Sequence, residues 1–88
     1  MVDGDPEYEI EFRWKEEIYY WEGSRGLHLD GGWGVRPFVT YVPPAESWDD
    51  VAPDWAKGRR DEIVRRLIEH PHHRVVDGDY RGNLGVTR

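Results

Sequence analysis

The sequence predicts a small α+β protein: an antiparallel sheet of four to six strands in ββββαβ order, with one main helix packed on one face. Three observations carry that reading. Tyr8, Ile10, Phe12 and Trp14 alternate with Glu7, Glu9, Glu11 and Arg13, the period-two signature of a half-covered strand. Short runs of β-forming residues separated by Gly, Pro and Asp follow as far as Pro44. Trp48, Val51, Ala52 and Trp55, then Ile63, Val64, Leu67 and Ile68, recur at the spacing of one helix face.

Taken in order, residues 1–6 contain Asp, Gly and Pro without periodicity and read as a flexible N-terminus. Residues 7–88 read as a single domain. Lys15-Glu16 is a tight connection from the first strand to a second, Glu17 to Glu22, in which both faces carry aromatic groups. Gly23-Ser24-Arg25-Gly26 is a turn, and Leu27 to Asp30 is a short third strand with both leucines inward. Together these make an antiparallel meander. Gly31-Gly32-Trp33-Gly34 is a permissive loop with a Trp at its centre. A fourth strand spans about Phe38 to Val42, with Pro37 suited to its start. Pro43-Pro44 then forces an extended exit.

The helical stretch runs from Ser47 to Pro71. Ser47 and Asp50 have the spacing of a capping box. Pro53 lacks an amide hydrogen and clashes with a preceding turn, so the stretch divides into a helical turn near 48–52 and a main helix near 53–70. Gly58 is expected to allow close contact with the sheet. Asp61–Arg65 and Glu62–Arg66 place acid four residues before base, the better orientation on a helix surface. His73 to Val76 reads as a fifth strand, Asp77-Gly78 as a hairpin-type turn, and Leu84 to Thr87 as a weak sixth strand.

With 88 residues and no cysteine, the chain has no disulfide or thiolate metal site to stabilise it, and five Trp, five Tyr and two Phe must supply the packing. No apolar run approaches the length of a membrane span and no signal segment is visible, so a cytoplasmic protein without a membrane partner is expected. The net charge of −6 is unevenly spread. Residues 1–52 carry twelve acidic and four basic groups, net −8, while 53–88 carry six acidic and eight basic, net +2. That balance argues against nucleic acid as a partner, which needs clustered Lys and Arg, and favours a basic protein.

The chemistry-bearing candidates are few. Glu7, Glu9 and Glu11 form an acidic row on one strand face, spaced by roughly 6.5–7 Å, which Glu16, Glu17 and Glu22 would extend. It is either a docking surface for a basic partner or simply the wet face of the sheet. Tyr19, Trp21 and Tyr41 form an aromatic face that one helix cannot cover, and with Trp33, Glu9 and Glu11 they are the binding candidates. Lys57, Arg59, Arg60, Arg65 and Arg66 are a basic set that intrahelical pairing and the acidic sheet would neutralise. His70, His72 and His73 are the weak metal candidates, since adjacent strand residues point to opposite faces and cannot easily share an ion. His28 and Asp30 share a face without completing a catalytic set. No nucleophile elbow or phosphate loop is present. The sequence therefore reads as a non-enzymatic, cofactor-free protein-binding module, an acidic immunity- or inhibitor-type protein being one form of it. The competing reading is a small-ligand or metal-binding domain built on the histidines and the aromatic face.

Glu22-Gly23-Ser24-Arg25, Tyr41-Val42-Pro43, Trp48-Asp49 with Pro53-Asp54-Trp55-Ala56, and Gly58-Arg59-Arg60-Asp61-Glu62-Ile63 resemble small uncharacterised bacterial α+β proteins. The resemblance spans about Tyr19 to Leu67. It implies a bacterial source and a small α+β fold, and brings no catalytic residue with it.

Overall fold

The alternating segment forms an edge strand, β1 (Glu9–Arg13), whose register against β2 (Glu17–Glu22) sets Glu11 opposite Tyr19. A computed structural model describes residues 8–13, 17–32, 38–70 and 73–88. Trp14, Trp33, His72 and the Pro37 position therefore lie outside the described residues, as do Glu7, Lys15 and Glu16. The two-residue turn Gly23-Ser24 joins β2 to β3 (Arg25–Gly32), and Gly23 takes the left-handed φ of 67° that such a turn favours.

β3 is longer than the predicted Leu27–Asp30 and is the hub of the sheet. Along one edge it pairs with β2. Along the other it pairs first with β6 (Gly85–Thr87) through residues 25–27, then with β4 (Phe38–Val42) through Gly31 and Gly32. Between these partners the Tyr80 hydroxyl closes the gap, accepting from Asp30 N and donating to Tyr41 O, each at 2.7 Å.

The wholly antiparallel sheet is corrected at one place. β5 (His73–Asp77) pairs parallel to β4, because a helical crossover intervenes and carries the chain back to start at the same end. The sheet is thus mostly antiparallel, and β6 bears out the weak sixth strand. Asp77-Gly78 is not a hairpin turn. Gly78 N donates to Val42 O at 2.7 Å, and a Cβ on Gly78 would stand 2.7 Å from that of Tyr41. Glycine is needed there for close approach.

The crossover is also more broken than the periodicity suggests. It comprises α1 (Ala45–Val51), a 3-10 turn (Asp54–Ala56) and α2 (Arg60–Glu69), so the main helix does not begin near residue 53. Pro53 precedes the 3-10 turn, and Gly58 at φ 75° resets the direction before α2. Nothing lies within 4 Å of a Cβ built on Gly58, so its role is conformational and not sheet contact. The capping box is absent: α1 starts after Pro44, and Ser47 sits inside the helix with its hydroxyl 3.4 Å from Pro44 O.

Both helices cover the inner face of the sheet. Ile18, Tyr20, Leu27, Leu29 and Val42 meet Trp48, Val51, Ala52, Ala56, Ile63 and Leu67 in one buried cluster. Full burial of each large apolar side chain contributes about 1.5–3 kcal/mol. Trp48 also ties α1 to the 3-10 turn, its indole donating to Ala56 O at 2.9 Å. Ile68 departs from the predicted apolar stripe and is 60% exposed.

Among the described residues, no helix is long and apolar enough to cross a membrane.

Candidate functional site on the uncovered sheet face

Cross-strand partners share a face, so the register assigns every side chain to one side of the sheet. Glu9, Glu11 and Arg13 of β1, Glu17, Tyr19 and Trp21 of β2, His28 and Asp30 of β3, and Val39 and Tyr41 of β4 all lie on the outer face, away from the helices. The structure thus brings the predicted candidates Tyr19, Trp21, Tyr41, Glu9 and Glu11 onto one surface. Trp33 lies outside the described residues.

Tyr19 is the centre of this surface. Its ring stacks on Trp21 (centroids 5.5 Å, 11°) and on His28 (4.9 Å, 13°). Two guanidinium groups lie over the same row, Arg13 at 4.4 Å from the Tyr19 centroid and Arg88 at 4.6 Å from that of Trp21. Each cation also meets a carboxylate: Arg13 bonds Glu11 at 3.0 Å, and Arg88 pairs with Glu9 at 3.0 Å. The Trp21 indole donates to Glu11 at 2.8 Å. Those hydrogen bonds from Trp21 and Arg13 hold the Glu11 carboxyl below its ordinary range.

Trp21 differs from the expectation of an open aromatic face, being only 2% exposed. Its ring crowds Gly26, where a Cβ would approach to 2.4 Å, and the Arg88 guanidinium lies over the ring. A visitor would meet Tyr19 and the arginines first. The acidic row is likewise less bare than the sequence suggests, because Glu9 and Glu11 are already paired.

Glu22 is a correction. It shares the parity of Ile18 and Tyr20 and therefore lies on the inner face, where its side chain is 3% exposed. Arg59 grips it with two bonds of 2.7 and 3.0 Å, Arg66 adds one of 3.1 Å, and the Tyr20 hydroxyl donates at 2.6 Å. Burial pushes the Glu22 carboxyl up, but the bonds from Arg59 and Tyr20 with the adjoining charges win, and it is held below its ordinary range. Glu62 completes the network through Arg59 and Arg66, the latter as the expected i,i+4 pair at 3.0 Å. Arg60 instead reaches Pro43 O and Asp77.

The histidines do not assemble a metal centre in what is described. His73 Nε2 donates to Leu67 O, and His73 Nδ1 faces the Thr40 hydroxyl at 2.6 Å, so both ring nitrogens are engaged by the fold. Burial lowers the His73 pKa from its ordinary value, with the nearby His70 acting in the same direction against the Leu67 bond. His70 packs edge-on to it at 5.6 Å, and His72 lies outside the described residues. Among the described residues, no group of three His, Asp or Glu side chains could hold an ion.

Sequence reasoning missed one feature beside the stack. A recess of about 240 Å³ is lined by His28, Asp30, Tyr80, Arg81, Asn83, Leu84 and Val86. It forms because the chain after β5 returns to β3, a connection with no local signal. Within it His28 Nε2 is buried without a hydrogen-bond partner among the described residues.

The chain matches no family model, no curated protein and no solved structure.

Proposed function

We propose that this chain is a non-enzymatic protein-binding module that takes an arginine-bearing, basic segment of a partner on the outer sheet face. One observation carries the reading: the face already holds two guanidinium groups, each laid on an aromatic ring and tied to a carboxylate. Guanidinium is weakly hydrated, planar and suited to both contacts, so a partner arginine would meet the same chemistry. Exchange is easy on energetic grounds, because exposed ion pairs contribute little to stability. The acidic balance of residues 1–52 would steer a basic partner toward the surface. Inhibition of a basic toxin or nuclease, as by an immunity-type protein, is one role such a module would serve.

Fluorescence anisotropy with a labelled arginine-rich peptide and its lysine counterpart tests the proposal. The arginine peptide should bind more tightly, weaken as salt rises, and lose affinity when Glu9 and Glu11 are both reversed to Lys. Equal binding of the two peptides, or binding indifferent to that reversal, would remove the proposal. The recess at His28 favours a second reading, a small polar ligand held beside the stack, and calorimetric titration of candidate ligands with Asn83→Leu as control addresses it.

A further inference from the structure

We propose that the recess beside His28 binds a small zwitterion, a free α-amino acid with a short polar side chain. The inference rests on reading that recess as a ligand site, and it uses neither carboxylate of the arginine-binding face. The sheet register explains why a recess stands there. β6 pairs with β3 only through residues 25–27, and β4 only at Gly31 and Gly32. Residues 28–30 therefore meet no strand along that edge. Their backbone is served instead by Leu84 O, which accepts from His28 N at 3.0 Å, and by the Tyr80 hydroxyl. The segment carrying Tyr80 and Leu84 meets β3 at those points, and the recess opens beside them.

The polar groups facing that space are short of partners. His28 Nε2 is buried and, among the described residues, has nothing to bond. Native folds rarely leave such an atom unmatched, and a bound group answers it. Asp30 and Arg81 both line the recess, yet no ion pair joins them, and among the described residues neither has another ion-pair partner. Opposite charges held apart at one recess match a ligand that carries both charges itself. Asp30 would take its ammonium, and the planar fork of Arg81 its carboxylate. Gly82, at φ 75°, turns the chain between Arg81 and Asn83, which lets both residues line the same space. Asn83 Oδ1 accepts from Gly85 N at 2.7 Å, so its amide nitrogen is the group left for a ligand. Leu84 and Val86 supply the apolar wall. With His28 and Asn83 as the remaining polar contacts, the ligand's own side chain should carry a hydrogen-bonding group. A volume of about 240 Å³ keeps the ligand smaller than drug size.

Calorimetry with L-serine, L-asparagine and L-glutamine tests the assignment, each compared with its N-acetyl and its carboxamide derivative. At least one free amino acid should bind one to one. Blocking either end should weaken it at least ~tenfold, because a charge-assisted bond is then lost. Asp30→Asn should erase the penalty of N-acetylation, and Arg81→Gln that of amidation, with each variant folded by circular dichroism. His28→Phe, which keeps a ring against Tyr19, should lose the preference for a polar side chain over L-alanine. Free and blocked forms that bind alike would overturn the zwitterion and leave the recess a ligand site. No binding by any form, free or blocked, overturns both. Binding indifferent to Arg81→Gln and Asn83→Leu would lie outside the recess and also overturns the proposal.

Discussion

On the inner face Glu22 is enclosed by Arg59, Arg66 and the Tyr20 hydroxyl, while on the outer face Glu11 meets Arg13 and the Trp21 indole. The groups are alike and the distances similar. What differs is water. Arg66 and Glu22 have side-chain exposures of 7% and 3%, whereas Arg13 and Glu11 have 49% and 31%. Inside, removing one partner strands a charge that water cannot reach. Outside, solvent takes the place of a lost Arg13. The same chemistry therefore fastens the sheet to α2 on one side and stays exchangeable on the other.

That contrast orders the expected effects. Glu22→Ala should cost about 3–5 kcal/mol, the usual penalty for breaking a buried ion pair from one side. Chemical denaturation would read it, and a near wild-type midpoint would show the inner cluster to be no more than surface pairing. Trp48→Ala should cost a similar ~3–5 kcal/mol. Trp55, half-buried under Arg25 and Arg59, should matter less.

Acid should act on the inner face in two stages. The lowered His73 pKa means the unfolded state binds the proton more readily, so stability is complete above 6.5 and declines as pH falls through the folded value. Glu22 adds stability above 4.5 that is lost as pH falls through its depressed value. Melting temperature measured against pH should show both declines, and His73→Gln should remove only the upper one. If the upper decline survives in His73→Gln, another group causes it.

Tyr19→Ala should lower stability by about 0.5–1.5 kcal/mol, the worth of its stacking, while abolishing binding of the arginine peptide. Arg13→Ala should leave the melting temperature unchanged within error. A large loss there would erase the distinction between the two faces.

Much of this arrangement can be read in the sequence because it is local. The alternation in Glu9–Arg13 sets the strand and its faces, and Gly23 signals the turn that follows β2, although Arg25 and Gly26 of the expected four-residue turn belong to β3. Parity alone would also have placed Glu22 with Ile18 and Tyr20 on the inner face, a signal that grouping by charge obscures. Other features depend on distant segments. The parallel pairing of β5 with β4 and the closure by Tyr80 arise only once the crossover is folded. Alternation places Trp21 on the outer face, yet its burial requires the missing Cβ of Gly26 and the arrival of Arg88. Pro53 announced one break in the helical stretch, but the left-handed Gly58 made a second that apolar periodicity cannot register.

The arginine side-chain spectrum in nitrogen-15 NMR compares the two faces most directly, with and without an arginine-rich peptide. The Nε–H signals of Arg13 and Arg88 should shift or broaden as the peptide displaces them, while those of Arg59 and Arg66 stay fixed. Unmoved outer signals, or inner signals that respond equally, would contradict the account.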